Sequence, residues 1–192
     1  MKKIFFIVVT ALWSVMQTLN AQIIDVRVKT EPFTHYWSVG VGADVLMKAS
    51  CRVVGTFATG KKNCGFRYVR MHGLFHDDMF VYFRKPDGKV VYNWQYIDEL
   101  YDRMLAIGVK PFVELGFFPK DMAAENSKTQ MWWKGYVSVD RNNFGKWHDL
   151  IKAFTQHIVD RYGINEVLTW YFEVWNEPNL TGTGGFFSRD KK

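Results

Sequence analysis

Strand-like and helix-like segments alternate along most of this chain. Residues 66–73, 109–116 and 168–175 are rich in β-branched and aromatic residues, which is typical of strands. Between them, apolar residues recur at helical spacing in 93–108 and 143–163. Strands that alternate with helices favour right-handed βαβ units around a parallel sheet. The sequence therefore predicts a single α/β domain.

The segments before residue 66 and after residue 73 are less regular. Ile23 to Val28 is a short β-like run, and Trp37 to Ala43 has the alternation of a first sheet strand. Residues 44–63 show no periodicity that assigns them to a helix or a strand. Residues 74–88 are predicted to form a long loop whose turn lies at Pro86-Asp87-Gly88.

The first 21 residues have the pattern of a secretory signal. Lys2 and Lys3 precede a mostly apolar stretch over 4–16, and Ala21 is a small residue suited to cleavage. The apolar stretch is too short to favour a permanent membrane span, although an uncleaved anchor is the alternative. We expect a secreted or periplasmic protein with one domain over residues 22–192.

Charge and cysteine content exclude some classes of partner and leave others open. The formal net charge is +6, but the lysines and arginines are scattered and form no basic stripe, so we expect no nucleic-acid partner. Cys51 and Cys64 could pair in an exported protein or remain free thiols. Without a neighbouring pair of histidines they do not form a zinc pattern.

A carboxylate directly follows the last strand-like segment, at the predicted end of the sheet. An aromatic, β-branched run predicts a buried strand over 168–175, and Pro178 ends it just after Asn176 and Glu177. Strand C-termini are where active sites lie in parallel α/β folds. A glutamic acid there suits glycosidic cleavage, since burial against Trp175 would raise its pKa and keep it protonated. Asn176 could bind a sugar hydroxyl.

A second group of charges is predicted to converge inside the sheet. Side chains alternate along a strand, so Arg70 and His72 share one side of their strand. Glu114 and Glu173 lie near the ends of the next two strands, and buried charges need partners. We expect Arg70 to be held by one or both glutamates, with His72 and Glu177 nearer the open end. The alternative is that these residues are separate surface charges.

Three blocks of sequence, taken together, resemble glycoside hydrolase family 39, the β-xylosidase and α-L-iduronidase family of clan A. The blocks are FRYVRMHGLF, YNWQYIDELYDRMLAIGVKPFVELGFFP and TWYFEVWNEPN, in that order. The resemblance implies a (β/α)8 barrel and a retaining mechanism with two glutamates, and we expect no cofactor or metal. It places the acid/base on Glu177, the contact to the sugar 2-hydroxyl on Asn176 and a further sugar contact on His72.

The resemblance also implies that this chain carries only part of the barrel. Clan A enzymes hold the nucleophile on the seventh strand, whereas the blocks here account for roughly the first four βα units. A complete barrel typically needs about 250 residues. We therefore expect a truncated catalytic domain that is inactive alone, with a missing second half as a possible partner.

Three other hypotheses are compatible with the sequence. The chain could be a secreted carbohydrate-binding protein without catalysis, or part of an endo-acting clan A glycanase, since Asn-Glu-Pro occurs across the clan. A metal site in the loop after the second strand is the third reading, although the spacing is unspecific. The stacking residues of a sugar-binding surface would be Trp132, Trp133 and Trp175, and the metal ligands would be His72, His76, Asp77 and Asp78.

Overall fold

A computed structural model of the chain describes residues 36–45, 51–129 and 135–180, all within one compact unit. The strands are β1 (Gly40–Val45), β2 (Tyr68–His72), β3 (Tyr82–Arg84), β4 (Val90–Tyr92), β5 (Lys110–Glu114) and β6 (Tyr171–Glu173). The helices are α1 (Cys51–Cys64), α2 (Gln95–Ala106), α3 (Phe144–Tyr162) and α4 (Ile164–Val167).

Four strands form one parallel sheet in the order β1-β2-β5-β6. Gly42 of β1 pairs with Arg70 of β2, Arg70 with Phe112 of β5, and Phe112 with Tyr171 of β6. Helix α1 separates β1 from β2, α2 lies between β2 and β5, and α3 precedes β6. The predicted α/β alternation around a parallel sheet is confirmed.

The two faces of this sheet differ in chemistry. Val69, Met71 and Val113 are buried on one face, in a core that also contains the apolar residues of α2 and α3. Because side chains alternate along a strand, the intervening Arg70 and Glu114 lie on the opposite face. The face away from the helices therefore carries the polar residues of the sheet.

Helices α2 and α3 follow the predicted apolar spacing. Their fully buried side chains come at intervals of three or four residues, so each helix presents one apolar stripe to the sheet. Trp94 occupies the cap position of α2 without a side-chain cap bond, and the preceding Asn93 side chain accepts a hydrogen bond from the Gln95 backbone N–H at 3.2 Å. These stripes are Ile97, Leu100, Tyr101 and Met104 of α2, and Leu150, Phe154 and Ile158 of α3.

The start of α3 differs from the prediction. The segment with helical spacing begins at residue 143, but the helix itself begins at Phe144, and the Asn143 side chain makes no cap bond there and donates to the Met122 carbonyl at 3.3 Å. A 3₁₀ turn at Arg141–Asn143 precedes the helix, and Asp140 caps that turn by accepting from the Asn142 N–H at 2.7 Å. The side-chain cap before α3 therefore belongs to this turn and not to the helix itself.

Helix α1 lies within a segment to which the sequence assigned no structure. Val53, Val54 and Thr56 are β-branched and Gly55 and Gly60 are poor helix formers, which explains why no helix was predicted. Tertiary contacts stabilise it: Phe57 is buried in the core, and the Lys61 ammonium donates to the Gly108 carbonyl at 2.6 Å.

The same helix decides between the two alternatives for the cysteines. Cys51 and Cys64 are its first and last residues. A rise of about 1.5 Å per residue separates their backbones by about 20 Å, far beyond the reach of a disulfide. Cys64 is a free, exposed thiol.

A two-stranded hairpin begins within the loop predicted over 74–88 and ends at Tyr92. Strands β3 and β4 pair antiparallel, with Tyr82 opposite Tyr92 and Arg84 opposite Val90. The predicted turn connects them, since the Gly88 N–H donates to the Lys85 carbonyl at 2.9 Å. The prediction was right for the turn and wrong for the absence of strands beside it.

Strand β6 is shorter and more exposed than predicted. It contains three residues, and Tyr171 and Phe172 are 51% and 44% exposed. The expectation of a buried strand over 168–175 is therefore wrong for this part of the chain, although Trp170 is buried.

Several expectations fall on residues outside the described ranges. They include the signal segment at 1–21 and the β-like run from Ile23 to Val28. Among the described residues, no helix has the length and apolar character needed to cross a membrane.

Candidate active site

The polar residues predicted from three different strands meet at the C-terminal end of the sheet. Arg70 and His72 come from the second half of β2, Glu114 is the last residue of β5, and Glu173 is the last residue of β6. Asn176 follows β6 by three residues. Each strand thus contributes a side chain at the edge where parallel sheets carry their active sites.

Arg70 is the centre of this cluster. Its Nε lies 2.5 Å from Glu173 Oε2, and its Nη2 donates to Glu173 Oε1 at 2.9 Å, so the two side chains form a bidentate pair. The same Nη2 lies 3.1 Å from Glu114 Oε2. The hydrogen bonds to Glu173 and the negative charges of both glutamates raise the pKa of Arg70, against the opposing effect of its burial. The guanidinium is a fixed positive charge.

Glu114 is the most deeply buried charge of the cluster. Its side chain has no exposed surface. Its Oε2 lies 2.6 Å from His72 Nδ1 as well as 3.1 Å from the Arg70 guanidinium. A carboxylate removed from water in this way must be stabilised by the cation beside it.

Asn176 is tied to the same arginine. It is 9% exposed, and its Oδ1 accepts a hydrogen bond from Arg70 Nη2 at 2.7 Å. The bond holds the turn after β6 against β2, and the carbonyl end of the amide is directed toward the guanidinium.

Glu177 adopts an unusual backbone conformation. Its φ is +43°, in the left-handed region that residues other than glycine seldom adopt, and its carbonyl accepts from the Leu180 N–H at 3.0 Å. Such conformations carry strain and cluster at functional sites. The side chain is exposed rather than buried against Trp175 as expected. Its charge is near enough to Arg70 to help raise the arginine pKa.

Trp175, which precedes Asn176, packs on two aromatic residues that sequence reasoning missed. Its ring stacks on Phe118 with centroids 4.6 Å apart, and it meets the edge of Phe117 at 5.6 Å. Phe117 also stacks against His72 at 6.3 Å. The sequence signal was the Phe117-Phe118 pair directly after a predicted strand, at the active edge of the sheet.

The remaining predicted residues are the two tryptophans of a possible stacking surface and the loop residues of a possible metal site. Trp132 and Trp133 lie outside the described residues. No group of three metal-binding side chains occurs in the described ranges, so the structure offers no support for a metal site at His72, His76, Asp77 and Asp78. His76 is buried, and its Nδ1 accepts from the Asp78 N–H at 3.2 Å.

An open apolar cavity adjoins Arg70 on the same face of the sheet. It measures about 440 Å³ and is lined by side chains that point away from the helices. Tyr68 and Tyr171 face each other within it at a centroid distance of 4.7 Å. The main lining residues are Tyr36, Val39, Tyr68, Phe112 and Tyr171.

Burial of the Asp77 carboxylate, in the loop after β2, should lower the free energy of unfolding by an amount that depends on pH. Burial raises its pKa above the ordinary 3.8, while the Lys120 backbone N–H, 3.2 Å from its Oδ1, acts in the opposite direction. The folded state therefore binds more protons than the unfolded state as the pH falls toward 3.8. We expect Asp77→Asn to raise the free energy of unfolding at pH 7 and to lose that advantage below the ordinary pKa of Asp. Urea unfolding at both pH values measures this.

Asp121 is the matched control, because its pKa is shifted the other way. Hydrogen bonds from Arg84 lower the pKa of Asp121, with a further contribution from the Tyr82 hydroxyl at 2.7 Å. Asp121→Asn should therefore reduce stability at pH 7, and the difference should shrink as the pH falls. Equal pH profiles for the two variants would contradict the assignment of burial as the dominant effect at Asp77.

Comparison with known proteins connects this geometry to one family. The family model described as glycosyl hydrolases family 39 matches residues 22–190. A β-xylosidase of Geobacillus stearothermophilus is 48% identical over 123 residues, which cover 62% of this chain and 24% of that enzyme. An α-L-iduronidase of Mus musculus is 27% identical over 117 residues, covering 60% of this chain and 16% of that protein.

A solved structure gives the same result for the fold. The monomeric β-xylosidase from Caulobacter crescentus CB15 superposes with a TM-score of 0.72 at 42% identity, covering 82% of this chain and 31% of that chain. The predicted fold class, an α/β fold of the (β/α)8 type, is confirmed. The chain spans about a quarter or less of the two curated relatives named above.

Proposed function

The chain belongs to glycosyl hydrolase family 39, and from that premise we propose that it carries the acid/base half of a retaining glycosidase site. The observation that carries the proposal is the position of Asn176-Glu177. The turn after β6 presents Glu177 to solvent at the active edge of the sheet, and Arg70 holds the preceding Asn176 in place.

The proposed reaction has two steps. Protonated Glu177 donates its proton to the glycosidic oxygen while a second carboxylate attacks the anomeric carbon, so that the alcohol leaves and a glycosyl ester forms. Ionised Glu177 then removes a proton from water, whose oxygen attacks the same carbon and displaces the carboxylate. The sugar is released with its original configuration, and Glu177 regains its proton.

Neither other glutamate of the cluster is suited to the attacking role. Glu173 is held by two hydrogen bonds from Arg70, and the side chain of Glu114 is fully buried beside the same arginine. A carboxylate neutralised by a guanidinium is a weak nucleophile. We therefore propose that the nucleophile lies outside the described residues, and that the 192-residue chain does not complete the reaction alone.

A β-xyloside is the proposed substrate. The chain is 48% identical to a β-xylosidase and 27% identical to an α-L-iduronidase over stretches of similar length. Asn176 would bind a sugar hydroxyl, since its Oδ1 is occupied by Arg70 and its Nδ2 remains to donate. The proposed chemistry uses carboxylic acids and water without a metal or cofactor. The signal pattern at 1–21 supports export of the protein.

A chimeric enzyme tests the proposal. Residues 66–180 would replace the matching segment of the Caulobacter β-xylosidase, and hydrolysis of an aryl β-xyloside would be measured beside the unmodified 192-residue chain. We expect turnover by the chimera within about tenfold of the parent and none by the chain alone. A folded chimera without activity would contradict the assigned function. Hydrolysis by the chain alone that Glu177→Gln abolishes would contradict the external nucleophile.

A further inference from the structure

We infer that Trp147 of α3 is a positioning residue for the turn that contains Asn176 and Glu177. It acts on that turn through two further rings, those of Phe118 and Trp175, which are in contact with each other. The catalytic consequence rests on the proposed function, whereas the ordering of the turn does not. The two parts are therefore tested by separate measurements.

The Trp175 ring lies against three consecutive residues of the loop after β5. It stacks on Phe118 with centroids 4.6 Å apart and an angle of 28° between the rings, and it meets the edge of Phe117 at 5.6 Å. A Cβ placed on Gly116 would lie 3.5 Å from the indole, so the Gly116 backbone runs directly beside it. The position of the Trp175 ring therefore depends on this loop, and above all on the stacked Phe118.

Phe118 is held through both its backbone and its ring. Its N–H donates to the Tyr136 carbonyl at 3.0 Å, and its own carbonyl accepts from the Tyr136 N–H at 3.1 Å. These bonds fix the main chain but leave the side-chain torsions to packing. The ring meets Trp147 nearly at right angles, with centroids 4.6 Å apart. Trp147 therefore restricts the rotamer of the ring on which Trp175 stacks.

Trp147 is in turn anchored in the core between the sheet and the helices. It meets Phe75 edge to face at a centroid distance of 5.6 Å, and Phe75 meets Phe154 of α3 in the same way at 5.3 Å. Edge-to-face contacts are among the preferred arrangements of aromatic pairs. Phe75 and Phe154 are fully buried. A continuous series of rings thus connects the interior of α3 to Trp175.

Two contacts then fix the turn that carries Glu177. Arg70 holds the side chain of Asn176, and the series of rings holds the side chain of Trp175, one residue earlier. A general acid must reach the glycosidic oxygen within hydrogen-bond distance. A misplacement of about 1 Å can lower the rate about 10²-fold. Loss of the second contact should therefore slow the reaction even where Arg70 remains in place.

Substitutions at Trp147 in the chimeric β-xylosidase test the catalytic part. For a xyloside whose leaving group needs protonation, Trp147→Leu should lower kcat about tenfold or more while KM stays within about threefold of the parent. Trp147→Phe keeps an aromatic edge against Phe118 and should retain kcat within about threefold. An unchanged kcat in Trp147→Leu, or a rise in KM alone, would overturn the inference. So would an equal fall in kcat in both variants.

Trp170 is the matched control for loss of a packed indole. It precedes β6, at the opposite end of that strand from Glu177, and meets Tyr101 edge to face at a centroid distance of 5.3 Å. Trp170→Leu should reduce the free energy of unfolding without lowering kcat at a temperature where the variant is folded. If Trp170→Leu lowered kcat as much as Trp147→Leu, the effect would be general destabilisation and the inference would be wrong.

NMR relaxation in the full 192-residue chain tests the ordering of the turn without activity. We expect the order parameter of the Glu177 N–H to be about 0.85 in the unmodified chain and below about 0.6 in Trp147→Leu, with no change in Trp170→Leu. An unchanged value in Trp147→Leu would overturn the inference even with an active chimera. An inactive parent chimera, with the relaxation result as expected, would overturn only the proposed function.

Discussion

Replacing Arg70 with Met is expected to lower the free energy of unfolding by about 3–5 kcal/mol, the usual cost of removing one partner from a buried ion pair. Glu114 has no exposed surface and Glu173 is only 26% exposed, so the substitution leaves two carboxylates with little water to replace the guanidinium. Urea unfolding followed by circular dichroism measures the loss. If the total free energy of unfolding of the chain is smaller than this loss, the Arg70→Met variant should show no cooperative unfolding transition.

Arg84 is the matched control for Arg70. It also pairs with a carboxylate, Asp121, at 2.7 Å, but these side chains are 36% and 37% exposed. Arg84→Met should therefore reduce the free energy of unfolding far less than Arg70→Met does, because solvent-exposed ion pairs contribute little. Adding Glu114→Gln to Arg70→Met should recover part of the lost stability, because a neutral amide is cheaper to bury than a carboxylate. An Arg70→Met variant no less stable than Arg84→Met would contradict the buried network.

Replacing Glu177 with Gln in the chimeric enzyme is expected to lower kcat about 10²–10⁴-fold for a xyloside whose leaving group needs protonation. Gln has nearly the shape of Glu but no acidic proton. An activated aryl xyloside leaves without protonation, so its glycosylation step should be slowed much less. Steady-state and burst-phase kinetics on a series of aryl xylosides separate the two effects.

Glu99 provides the control for that substitution. It lies on α2, partly exposed, and pairs with Arg103 one helical turn away at 2.7 Å. Glu99→Gln should leave kcat and its dependence on the leaving group unchanged. If Glu177→Gln slowed all leaving groups equally, Glu177 would not be the general acid.

The helices and strands that could be predicted are those in which the spacing of apolar residues in the sequence matches the side chains that are buried in the structure. The stripe on α2 recurs every three or four residues, and Leu100 and Met104 are buried as the spacing predicts. Helix α1 was missed because its stability comes from contacts outside the segment, such as the bond from Lys61 to Gly108, which local propensity does not contain. The aromatic run in β6 predicted burial, yet Phe172 remains exposed in the described part of the sheet.

The part of the site that could be predicted is the part whose positions follow from strand geometry alone. Alternation along β2 and the order of the strands were enough to bring Arg70 toward Glu114 and Glu173. The bond from Arg70 to Asn176 was not predicted, because it depends on the turn after β6. That turn includes the left-handed backbone of Glu177, which neither periodicity nor composition reveals.

Azide rescue of Glu177→Ala in the chimeric β-xylosidase tests the central claim, that Glu177 is the acid/base of a retaining site, most directly. Without the carboxylate, water lacks the base that activates it in the second step, whereas azide attacks without giving up a proton. The account predicts that azide accelerates turnover of an activated aryl β-xyloside and that NMR identifies the product as β-xylosyl azide. Absence of acceleration, or an azide of inverted configuration, would contradict it.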